Sequence, residues 1–232
     1  MAPAQLILAV RPVARSVRWA PLVAGAAGGV LLVLLARPRQ VGPAATLGAL
    51  RLAAFLLAAG AAFALDDQAA STVAPAPLPL AARRGLRLAV VLLPAGVGWA
   101  LIVSLAVLVA PGAQAAPPLG ALTVEAAAMV AVSLAAAAVA GPRAPDGLGG
   151  AAGGPVLMLL VLASLFTQPH WPDVVTLLPF GPSDPQWSPA HARWGALGVA
   201  AVTAIGVTSL DPARRSRRWA AIVPNPLTRR RP

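Results

Sequence analysis

The sequence predicts an all-α, polytopic membrane protein. Three observations predict it: six apolar runs of spanning length, very little charge within them, and arginines gathered between alternate runs. Hydrophobic residues form 58% of the 232 residues and charged residues 11%, with a mean hydropathy of +0.77. A soluble domain needs about a quarter charged residues to cover its surface, so lipid takes the place of water here. At about 20 residues per span, the length suffices for six or seven helices and leaves no extramembrane domain of useful size.

In chain order, residues 1–19 come first. The apolar stretch from Leu6 to Val10 is too short for a secretion signal, and its basic residues follow rather than precede it. Val13 and Val17 beside Arg11, Arg15 and Arg18 suit a retained helix lying on the membrane surface. The spans then fall at about 20–36, 44–65, 86–110, 117–140, 153–169 and 192–210. Trp19 and Pro21 open the first, Asp66-Asp67 closes the second, and Arg83, Arg84 and Arg87 precede the third. Pro111-Gly112 and Gly141-Pro142-Arg143 close the third and fourth. The stretch 145–155 reads as a flexible linker, and 213–232 as a basic tail. The six-helix transmembrane domain thus occupies 20–212.

Arginine sets the orientation, since cytoplasmic loops carry the excess of positive charge. With both termini in the cytoplasm, fourteen of the eighteen basic residues, all arginine, lie inside. Arg37, Arg39, Arg51 and Arg193 lie outside. The all-Arg, Ala- and Gly-rich composition points to a GC-rich bacterium and its cytoplasmic (inner) membrane, and the +11 charge to topology rather than nucleic acid. Two loops stand out. Residues 66–86 form a cytoplasmic link, and 169–192 an outer link in which the apolar Val174–Phe180 dips into the outer leaflet. Trp171 and Trp187 sit there at headgroup level.

Catalytic signatures are nearly absent, which reads as a non-enzyme. There is no cysteine, no HExxH, no nucleophile elbow and no paired carboxylates in a span. Without lysine, the glycines of 147–154 cannot form a Walker loop, so they read as packing or linker residues, and any ATP-Mg belongs to a partner subunit. No cofactor or metal is expected on this chain. His170 and His191 flank the outer link, where they read as exposed loop histidines. Glu125, the only glutamate, lies about two turns inside the fourth run. It reads either as a group reaching water near the interface or as a substrate contact or proton site. Arg51, at similar depth in the second run, reads as a snorkelling side chain; an Arg51–Glu125 pair is geometrically possible. These two are the translocation-path candidates. Gly25 and Gly29 form a GxxxG face suited to packing against a second membrane chain.

In the link, Asp66 or Asp67 reads as the cap of a short lateral helix. With Gln68, Ser71 and Thr72 that helix reads either as a docking knob for a cytoplasmic partner or as a solvated connector, and Pro75, Pro77 and Pro79 force an extended path after it. With the interfacial helix, six spans and long outer loop, this pattern resembles the permease subunits of bacterial ABC-2 type exporters. The text ALDDQAASTVAPAPLPLAARRGLR looks like the second-to-third-span link of small actinobacterial ABC permeases. The resemblance implies a coupling helix at Asp66 to Thr72 seated in a groove of a cytoplasmic ATPase subunit. It also implies re-entrant outer helices near Trp171–Phe180 and a second copy or a related permease chain as partner. The rival reading is a non-transporting scaffold or accessory subunit of a membrane enzyme complex.

Overall fold

The computed structural model describes residues 3–36, 43–66, 80–109, 118–144, 148–167 and 176–210. Of these, 87% are helical, and none forms a strand. Helix α1 (Pro3–Ser16) meets α2 (Trp19–Leu35) at a 71° bend. Then follow α3 (Pro43–Ala62), α4 (Leu80–Val109), α5 (Leu119–Ala140), α6 (Gly153–Thr167) and α7 (Trp187–Thr208). Short 3-10 turns at Phe63–Leu65, Gly141–Arg143 and Gly150–Ala152 extend α3 and α5 and lead into α6.

Each expected run folds as a helix, but fewer than six qualify as spans on their own. Four stretches are long and apolar enough to cross a membrane: Ala44–Leu65, Ala81–Val109, Leu119–Arg143 and Gly150–Thr167. The bent pair α1–α2 adds a fifth if it is counted as one span. Helix α2 alone has 17 residues, about 25 Å at 1.5 Å per residue, short of a ~30 Å core. Helix α7 is long enough, but His191, Arg193 and its glycines dilute its apolar character.

Helices α2, α4 and α6 run from an end marked by Asp66 to an end marked by Arg51, and α3, α5 and α7 run back. Helices α3 and α5 form the centre, with their spans 56% and 61% buried, while α4 and α6 are 28% and 22% buried and lie at the periphery. Leu93, Leu101, Leu108, Leu159 and Phe166 of those outer helices are exposed. Leu50, Leu57, Ile102, Leu122, Met129, Leu134 and Trp194 fill the interior between them.

Small residues decide the closest approach. A Cβ added at Gly25 would overlap the Leu56 carbonyl, and one at Gly60 the Pro21 carbonyl. At Gly29 it would meet Ala53 and Ile102. The GxxxG face therefore packs within this chain, against α3, rather than against another chain. Without a side chain on either backbone, the two helices can close to near contact, which is how apolar helices gain attraction in lipid.

Three boundaries differ from expectation. Helix α4 starts at Leu80 and takes Arg83, Arg84 and Arg87 into its first turns. Helix α7 starts at Trp187, so His191 is a helical residue and not a loop one. The Gly-rich stretch is packed rather than flexible from residue 148 on: a Cβ at Gly149 would strike the Ala137 carbonyl, and one at Gly153 would strike Ala62 and Ser133. Residues 176–186 are turns, with no helix. Asp67, Gln68, Ser71, Thr72, Arg37, Arg39, His170 and Trp171 lie outside the described residues. So do residues 145–147 and the tail.

Candidate functional site

At one end of the bundle, three charged or titratable side chains from three helices meet. Arg51 of α3 donates from Nε to Glu125 Oε2 at 2.8 Å and from Nη2 to Oε1 at 2.9 Å. This is the bidentate fork that suits guanidinium to carboxylate. Its Nη1 donates to the Pro179 carbonyl at 2.6 Å, and its Cζ lies 5.8 Å from the centroid of the Trp187 ring. Glu125 of α5 is 1% exposed, and Arg51 and His191 each 13%. Burying a carboxylate this fully is costly unless it is paired and hydrogen-bonded. Arg51 therefore turns inward to the pair instead of snorkelling, and Glu125 does not reach water.

His191 of α7 completes the cluster. Its Nε2 lies 3.0 Å from Glu125 Oε1, outside hydrogen-bond alignment and buried, while Nδ1 lies 2.6 Å from the Trp187 carbonyl. Both ring nitrogens thus face oxygen acceptors. The Trp187 ring lies against the imidazole, tilted by 46°, at 4.5 Å between centroids. Glu125 of α5 therefore lies against side chains of two other helices, Arg51 of α3 and His191 of α7. Among the described residues the cluster holds one carboxylate, one guanidinium and one imidazole, groups that bind charged or polar partners.

Helices α3, α6 and α7 pin the segment that covers this end. Leu177 donates its N–H to Ser164 Oγ of α6, and its carbonyl accepts from Trp194 Nε1 of α7. The Thr176 carbonyl accepts from Arg193 Nη1 at 2.7 Å. Asp184 accepts from the N–H groups of Phe180 and Gln186 and shapes the turn before α7. Backbone groups at membrane depth must find internal partners, and side chains of α3, α6 and α7 supply them.

The opposite end carries a second joint. Asp66, 1% exposed, accepts from the Gly150 N–H at 2.6 Å and lies 3.5 Å from Arg18 Nη1. Its own carbonyl accepts from Arg87 Nη1, and Arg87 Nη2 reaches Ser16 Oγ. Arg84 ties α4 to the Thr208 carbonyl of α7. A carboxylate at the first N–H of the turn that leads into α6 satisfies an orphan donor where the helix dipole favours negative charge. Asp66 thus caps the start of the α6 stretch, and its side chain points into the protein rather than toward a docking surface. We expect Asp66→Ala to destabilise the fold by about 1–3 kcal/mol, because it orphans a buried N–H. Asp66→Asn keeps that acceptor and should cost under about 1 kcal/mol, since the Arg18 pair is half exposed. Thermal unfolding in detergent checks the order.

Of the residues singled out in the sequence, the structure brings Arg51, Glu125 and Trp187 together and holds Asp66 beyond the other end of α3, roughly 20–25 Å of helix from Arg51 by the ~1.5 Å rise per residue. His191, read from the sequence as an exposed loop histidine, is the third member of the cluster. Its signal was present: Trp187, His191 and Trp194 recur at i, i+4 and i+7, one face of a helix. Among the described residues no three His, Cys, Asp or Glu side chains gather in a metal-holding group. No family model matches the chain, and neither does any curated protein or solved structure.

Proposed function

We propose that this chain is a six-span subunit of an ATP-driven exporter in a bacterial cytoplasmic membrane, with the Asp66 end in the cytoplasm. Seven of the nine arginines among the described residues belong to that end, which supports the orientation. One observation carries the coupling role. The residue at the head of the link 66–86 is bonded at once to the α1–α2 elbow, to α4 and to the start of α6. A push on the link by an ATPase subunit would reach four helices through this joint, a rigid-body route from ATP binding to helix movement. Arg51 and Glu125, at the far end, would then change partners as the pathway opens. ATP-Mg would be held by the separate ATPase, and a second permease chain would complete the pathway.

The test is a mild-detergent pull-down of the tagged chain with mass spectrometry of its partners and an ATPase assay of the eluate. An ATPase subunit should be recovered and should be lost when 67–72 is replaced by Gly/Ser with Asp66 retained. Recovery of other membrane proteins with no ATPase overturns the proposal and favours a scaffold.

A further inference from the structure

Between α3, α5, α6 and the covering segment lies a pocket of about 380 Å³, the size of a small-molecule site. Its walls include Leu52, Phe55, Met129, Met158, Val161 and Phe180, and the one charged side chain that lines it is Arg51. Glu125 does not line it, so the pocket meets the guanidinium and not the carboxylate behind it. Arg51 uses three of its five N–H groups in the bonds described above; the other two carry none among the described residues.

The pocket's shape has a direction. Ala44, Gly48, Arg51, Leu52 and Phe55 lie on one face of α3, at i, i+4, i+7, i+8 and i+11. Helical side chains lean toward the helix N-terminus, which brings the guanidinium up to the level of Gly48, near the end of the bundle. The apolar wall continues deeper, along Phe55, Met129 and Met158. Leu52 and Met158 are half exposed and Phe180 is 82% exposed, so the mouth opens sideways, where lipid would lie. The two methionines give that wall adaptable surface.

We infer that this pocket binds an anionic amphiphile, its carboxylate or phosphate on Arg51 and its alkyl chain between α3 and α6. A purely apolar molecule would leave the guanidinium facing hydrocarbon, and a small anion would leave the apolar wall unfilled. The inference stands on the pocket alone and does not need the transport reading. The same chemistry is offered by a free single-chain acid and by a phospholipid headgroup.

The experiment uses the purified full-length chain in detergent and diazirine-bearing probes: palmitic acid, the alcohol of equal length, phosphatidylglycerol and phosphatidylcholine. Crosslinked peptides are mapped by mass spectrometry. An anionic probe should label the peptides of Leu52, Met158 and Phe180 at least about tenfold more than the alcohol, the worth of one charge-assisted hydrogen bond. Stronger labelling by palmitic acid assigns a free acid; stronger labelling by phosphatidylglycerol assigns a lipid. A Cβ at Gly48 meets open space, so Gly48→Leu should fill the pocket, keep the melting temperature and abolish the labelling. Met158→Trp blocks it from the α6 side. Equal labelling by the alcohol, or labelling that persists in both folded variants, overturns the inference.

Discussion

Glu125→Leu alone should lower stability by about 3–5 kcal/mol, and the double change Arg51→Met with Glu125→Leu by much less. The single change strips the bidentate partner from Arg51 and leaves the half-enclosed guanidinium with the Pro179 carbonyl as its hydrogen-bond acceptor. An isolated buried cation keeps its full desolvation penalty, whereas replacing both members of a buried pair by apolar groups of similar volume is often close to neutral. The double variant still loses the Pro179 contact, one hydrogen bond worth about 1–2 kcal/mol. Thermal or denaturant unfolding of the four proteins closes a double-mutant cycle. A double variant as unstable as the sum of the singles would mean that the pair is not coupled, and the cluster would lose its standing as one unit. Arg51→Met alone should fall between the two.

Gly60→Ala should destabilise the protein even though alanine is the better helix former. An exposed helical glycine gains up to about 1 kcal/mol on becoming alanine, and Gly48, with open space around its Cβ position, should show that gain. At Gly60 the new methyl would instead overlap the Pro21 carbonyl and crowd Leu22, both parts of the α2 backbone. Backbone cannot rotate away, so α2 and α3 must separate along their length. The cost is about 1–3 kcal/mol for overpacking, with Gly60→Val above Gly60→Ala. Gly25→Ala, aimed at the Leu56 carbonyl from the other side, should behave alike. The opposite signs at Gly48 and Gly60 are the test. A stabilising Gly60→Ala would show that the α2–α3 approach is looser than the structure has it.

Both predictions rest on features only partly legible in the chain. The helices were legible because each apolar run is long, and length with composition decides helix formation where no water can bond to the backbone. Their ends were not. Helix α4 gathers three arginines because Arg87 is bonded to Asp66 and Ser16, and Arg84 to Thr208, in place of loop solvent. Helix α7 begins five residues early because Asp184 shapes the turn before it.

The same division runs through the candidate site. From the sequence alone come an all-helical architecture, the apolar runs and the two isolated charges, Arg51 and Glu125, at matching depth. Those depend on local composition and on the fixed rise of a helix. Which helix faces which is another matter, because in a chain this rich in alanine and leucine every face looks alike to its neighbours. Tertiary packing alone turned Gly25 and Gly60 toward each other's helices, placed His191 on Glu125 and folded Asp66 under Gly150. The choice was made by the few groups that cannot be left unpaired in lipid and by the few glycines that let backbones touch.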